Sequence, residues 1–172
     1  MTATVYGIGT LHAVAVDERL LWPDPVPGLR VREYESGFRA DLTASREAVS
    51  GVRRLTRSMR TSYVADQDLA ESVELLVSEL VGNAVRASAP DTDIPLVVEV
   101  YAAMVGSPGI AVIVHDTVPG RPHRSDAALD SAEAESGRGL GILDALTDRW
   151  SVEPSTEPSF KKMIRCFISR AE

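Results

Sequence analysis

From Asp66 to Ser88 the chain carries Leu69, Val73, Leu76, Val77, Leu80, Val81 and Ala84, at spacings of three and four that a helix turns into one continuous apolar stripe. Ala89-Pro90-Asp91 marks where that helix stops, because proline cannot continue it. Steps of about 100° per residue set Ser72, Glu79 and Asn83 along one margin of the stripe, roughly 60 to 100° from its centre. Glu79 and Asn83 therefore form a polar pair at the edge of the core. Such a pair either lines a cavity or hydrogen-bonds a neighbouring strand, and the helix alone leaves both open.

At 172 residues and 44% apolar content, the chain suits one domain with a substantial core. A net charge of −7 argues against nucleic acid, whose phosphates need a basic face. No apolar run approaches the roughly 18 residues of a membrane span, and the N-terminus lacks a basic stretch followed by an apolar one. We therefore expect a cytoplasmic protein that binds neither nucleic acid nor membrane. Cys166 is the single cysteine and sits in an apolar strand, as a small core residue does.

Residues 1–29 read as an N-terminal extension, with a strand or hairpin followed by the connector Trp22-Pro23-Asp24-Pro25-Val26-Pro27-Gly28, and residues 30–172 as the main domain. Leu29 to Leu42 is extended in character and reads as one strand feeding a first helix over Ser45 to Met59, capped by Thr43 or Ser45. Val49, Val52, Thr56 and Met59 give that helix its apolar side, while Arg53, Arg54, Arg57 and Arg60 read as a solvated face. Ile94 to Met104 and Ile110 to Val114 read as strands joined by a Gly-Pro turn, the second running into Asp116. Thr117 to Ser136 is a polar loop of about twenty residues, a length that suits a mobile lid. Gly137-Arg138-Gly139-Leu140-Gly141 then opens a third helix that ends near Asp148-Arg149, and strands over Trp150 to Val152 and Phe160 to Ser169 complete the domain.

Three of these stretches carry chemistry. Consecutive glycines let backbone N–H groups approach a ligand, and at a helix N-terminus those donors favour an anion. Arg138 adds a permanent cation able to grip phosphate oxygens. A carboxylate at a strand end, as Asp116 is, can accept from an exocyclic amine and select adenine over guanine, although a turn-initiating aspartate has the same sequence. Asn83 offers a neutral oxygen to magnesium, a hard ion that keeps several waters. Glu79, one turn earlier, is placed to accept a proton from an attacking hydroxyl or water.

With helix, strand-Asp and glycine loop in this order, the chain resembles the GHKL ATPase superfamily with its Bergerat nucleotide-binding fold, over residues 38–169. Its most specific parts are Ser78-Glu79-Leu80-Val81-Gly82-Asn83-Ala84-Val85-Arg86 and the segment from Gly137 to Trp150. Within the superfamily it looks most like the anti-sigma factor serine/threonine kinase branch and the small single-domain regulators of actinobacteria. The resemblance implies an α+β fold, a two-layer sandwich with a mixed, mostly antiparallel sheet covered on one face by helices. It also implies ATP and Mg2+ as cofactors, Glu79 as catalytic base and Asn83 as magnesium ligand. Nucleotide contacts fall on Asn83, Asp116, Gly120, Gly137, Arg138, Gly139, Leu140 and Gly141. Two departures stand out: Val118 replaces the first glycine of the family's Asp-x-Gly-x-Gly, and Lys162-Met163 replaces a pair ending in threonine, whose hydroxyl methionine cannot supply.

The function so implied is phosphorylation of a small antagonist protein, sequestration of a sigma factor, or both, by a homodimer. The alternative from a different class is a catalytically silent binding regulator on the same fold, with weak or no nucleotide binding. A sensor histidine kinase is disfavoured, because His12, His115 and His123 all lie outside any long helix.

Overall fold

The computed structural model describes residues 26–34, 36–43, 45–62, 67–86, 95–103, 109–118 and 141–169. In chain order these give β1 (Leu29–Tyr34), β2 (Gly37–Thr43), α1 (Arg46–Ser62), α2 (Gln67–Arg86), β3 (Pro95–Ala103) and β4 (Gly109–Asp116). A helical stretch α3 over 141–146, β5 (Arg149–Pro154) and β6 (Lys162–Ser169) follow. The expected N-terminal strand or hairpin, the lid beyond Val118 and most of the glycine loop lie outside the described residues.

The six strands form one open sheet in the order β1-β2-β3-β4-β6-β5. Every pairing among the described strands is antiparallel, in keeping with the mostly antiparallel sheet that the resemblance implied. Two helices separate β2 from β3, and an even number of crossings returns the chain to the end where β2 stopped. β3 therefore runs back beside β2, and no parallel crossover is needed.

Leu29 to Leu42 is two strands rather than one. β1 and β2 pair as a hairpin from Leu29 opposite Leu42 to Tyr34 opposite Gly37. A Cβ at Gly37 would lie 2.0 Å from the Val100 carbonyl oxygen, so the turn into β2 accepts only glycine. At the other end Gly28 has φ 74°, and its carbonyl accepts the Thr43 N–H at 2.8 Å.

Alternate residues of the central strands (Leu96, Val98 and Val100; Ile110, Val112 and Val114; Ile164, Cys166 and Ile168) share one buried cluster with Val52 and Leu55 of α1. The α2 stripe from Leu69 to Ala84 and Leu143 of α3 join the same cluster, so the helices cover one sheet face. Each fully buried Leu or Val side chain contributes about 1.5–3 kcal/mol. Cys166 belongs to this core, and burial pushes its thiol up to about 12, far from thiolate chemistry.

The Ser45 hydroxyl accepts the Ala48 N–H at 3.0 Å, which makes Ser45 the N-cap of α1. Arg53, Arg54 and Arg57 are exposed, as the sequence suggests, and two of them also reach the second helix. Arg53 Nε donates to Ser78 Oγ at 2.9 Å and Arg57 pairs with Glu74 at 2.8 Å, so two arginines tie α1 to α2.

On the opposite sheet face Arg39 pairs with Asp41 (3.0 Å), Glu99 (3.1 Å) and Glu157 (2.8 Å). The connection from β5 to β6 straps that face through a 2.8 Å contact between His115 Nδ1 and Ser155 Oγ, with Phe160 edge-on to the imidazole. Among the described residues no helix is long and apolar enough to cross a membrane.

Candidate functional site

Ser72, Glu79 and Asn83 all stand half-buried at the margin of α2, where helical spacing puts them. Ser72 turns its hydroxyl onto the Asp68 carbonyl of its own helix (2.9 Å). Glu79 and Asn83 instead meet Arg86, which folds back along the helix. Its Nη2 donates to Asn83 Oδ1 at 2.6 Å and stands 3.7 Å from Glu79 Oε2. Gly82 leaves the space for this, since a Cβ there would lie 3.2 Å from Arg86 Nη1. Arg86 follows Asn83 by three residues and Glu79 by seven, so its place on this margin is a signal the sequence already holds.

Asp116 ends β4 on the face that carries Val112 and Val114, so it looks toward the helices. It is only 3% exposed. Its Oδ1 accepts the Val118 N–H at 2.8 Å and the Lys162 ammonium at 3.0 Å, while Lys162 Nζ also donates to the Val118 carbonyl at 2.7 Å. Burial raises the Asp116 pKa, and Lys162 and the Val118 N–H oppose that rise.

This geometry revises both departures noted in the sequence. The N–H of Val118 closes an aspartate turn, so the chain turns here without a glycine. Met163 pairs with His115 on the far face of the sheet, whereas Lys162 stands directly opposite Asp116. The residue that donates to the carboxylate is therefore Lys162. Period-two alternation through Ile164, Cys166 and Ile168 puts residue 162, not 163, on the helical side.

Gly141 is the first described residue of α3 and is exposed, and a Cβ built on it meets no atom within 4 Å. Leu143, 1% exposed, anchors α3 in the cluster that holds Leu80 and Val114. The indole N–H of Trp150 donates to Asp144 Oδ1 at 2.9 Å and fixes the exit from α3 into β5. Gly120, Gly137, Arg138, Gly139 and Leu140 lie outside the described residues.

The helical face of the sheet thus gathers the α2 margin, the buried end of β4 and the start of α3, with α2 packed on β3 and β4. A family model described as a histidine kinase-like ATPase domain matches residues 42–164. The chain belongs to that family. No curated protein matches its sequence significantly. Membership of a histidine kinase-like ATPase family implies nucleotide binding, and the α+β architecture with an open antiparallel sheet is consistent with that assignment.

The residues present fit a nucleotide. Among the described residues Asp116 Oδ2 has no hydrogen-bond partner, which leaves an acceptor for an amine. The protein itself does not require glycine at 141, so that position is open to backbone approach by a phosphate. No group of three or more His, Cys, Asp or Glu able to hold a metal occurs among the described residues. A magnesium ion at Asn83 would rely on water and phosphate oxygens for its other ligands, as that ion commonly does.

Proposed function

We propose that this domain binds ATP with magnesium and acts as a regulator of the anti-sigma factor kind, transferring phosphate to a serine or threonine of a small antagonist protein. The observation that carries this reading is the shared face: α2, with Glu79 and Asn83 on its half-buried margin, and the buried Asp116 carboxylate both lie on the helical side of one sheet. In this reading Asp116 accepts from the base and Asn83 gives an oxygen to the ion. By the resemblance Gly137, Arg138, Gly139, Leu140 and Gly141 correspond to the phosphate-binding loop, and Gly120 to the second glycine of the motif after Asp116. Glu79 takes the proton of the attacking hydroxyl. Bound magnesium supplies charge neutralisation at the phosphates, and the chain supplies position and electrostatics. Partner capture, whether of a sigma factor or of the antagonist, and homodimerisation belong to the same reading.

One observation favours a silent binding regulator instead. Arg86 already engages Asn83 Oδ1 and lies close to Glu79, so both polar groups are satisfied without a ligand. Incubation with γ-labelled ATP, magnesium and an extract of the protein's own cells separates the two readings. Phosphoserine or phosphothreonine on a small protein, lost with Glu79→Gln, supports transfer. Absence of label, or label that survives Glu79→Gln, overturns transfer by this residue.

A further inference from the structure

We propose that Lys162 is a positioning residue for base recognition: it holds Asp116 as an acceptor-only carboxylate and thereby sets the preference for a 6-amino over a 6-oxo purine. The inference rests on the reading that Asp116 meets the base. Its geometry is independent of that reading. Lys162 faces Asp116 directly across the β4–β6 pairing, 3.0 Å from Oδ1, and its second bond to the Val118 carbonyl fixes the ammonium on that side. With Oδ1 taken by Lys162 and the Val118 N–H, recognition falls to Oδ2.

The charged form of that carboxylate is costly, because Asp116 is buried. The charged groups acting on it among the described residues are Lys162 from β6 and His115, its neighbour on β4, and no ion pair joins it to α2. Lys162 is its only ion-pair partner among them. Without that ammonium the carboxyl is driven toward its neutral form, which carries an O–H donor. An ionised Oδ2 accepts from the adenine 6-amino group and repels a 6-oxo oxygen, whereas a protonated oxygen donates to the 6-oxo group.

The test compares ADP with inosine 5′-diphosphate in magnesium-free titrations of the full chain from pH 6.5 to 8.5. The wild type is expected to prefer ADP by roughly tenfold or more across the range, as a site built on one hydrogen-bonding group allows. Lys162→Met should lower that preference by roughly tenfold, with recovery as pH rises, and Lys162→Arg should keep it. A folded Lys162→Met protein with the wild-type ADP preference overturns the inference and leaves nucleotide binding standing. No binding of either nucleotide by the wild type removes the reading of Asp116 and the inference with it. Carbon-13 carboxyl titration of the ligand-free proteins gives a separate check: an Asp116 signal whose titration does not move in Lys162→Met also overturns it.

Discussion

Arg86 donates to Asn83 Oδ1 at 2.6 Å while standing 3.7 Å from Glu79 Oε2, so one guanidinium spans both polar groups at the end of α2. Its side chain is 47% exposed, and such pairs add little to folding. Arg86→Ala should shift stability by less than about 0.5 kcal/mol. It should weaken binding of ATP by roughly tenfold, because Glu79 is then left without a cation beside a polyanion. Urea denaturation and calorimetry measure the two effects, and unchanged affinity would remove Arg86 from the phosphate end.

Gly141 carries the opposite balance. Helix propensity favours alanine over glycine by about 1 kcal/mol, and no atom stands within 4 Å of a Cβ built there. Gly141→Ala should therefore keep or slightly raise the melting temperature and lower nucleotide affinity. If affinity is kept as well, that glycine does not admit a phosphate.

Glu79 and Leu80 are sequence neighbours with different duties. Leu80 is 1% exposed in the core, and Leu80→Ala should cost about 2–5 kcal/mol. Glu79→Gln should leave stability within about 1 kcal/mol, retain ATP binding and abolish phosphate transfer. Denaturant midpoints together with labelled-phosphate assays resolve the pair.

His115 supplies a pH prediction. It is 2% exposed, and burial lowers its pKa, with Arg39 and Arg165 acting in the same direction against Glu99 and Glu157. The unfolded chain then binds a proton before the folded one does. The contribution of His115 to stability is intact above about pH 6.5 and falls as pH drops below the ordinary histidine range toward the lowered value. His115→Gln should flatten that part of the stability profile, measured by urea denaturation between pH 8 and 5.5. An unchanged slope would place the proton uptake elsewhere.

Much of this architecture is legible in the chain itself. The α2 stripe is legible because seven apolar residues repeat at helical spacing, and the margin set by Glu79 and Asn83 follows from the same period. The β1–β2 turn is not: apolar residues continue on both sides of it, and the demand for glycine at 37 arises from the distant Val100 carbonyl. The partner of Asp116 is hidden for a related reason. Only the register of β4 against β6 shows that Lys162, and not Met163, stands opposite it. The arginines of α1 read as surface and are exposed, but their bonds to Ser78 and Glu74 show only once α2 is packed beside them.

Calorimetric titration of ATP into the purified protein, with and without magnesium and repeated on Asn83→Ala, tests the central claim most directly. Saturable binding that magnesium strengthens in the wild type, with the magnesium effect lost in Asn83→Ala, is the predicted result. No heat at millimolar ATP from demonstrably folded protein would contradict it.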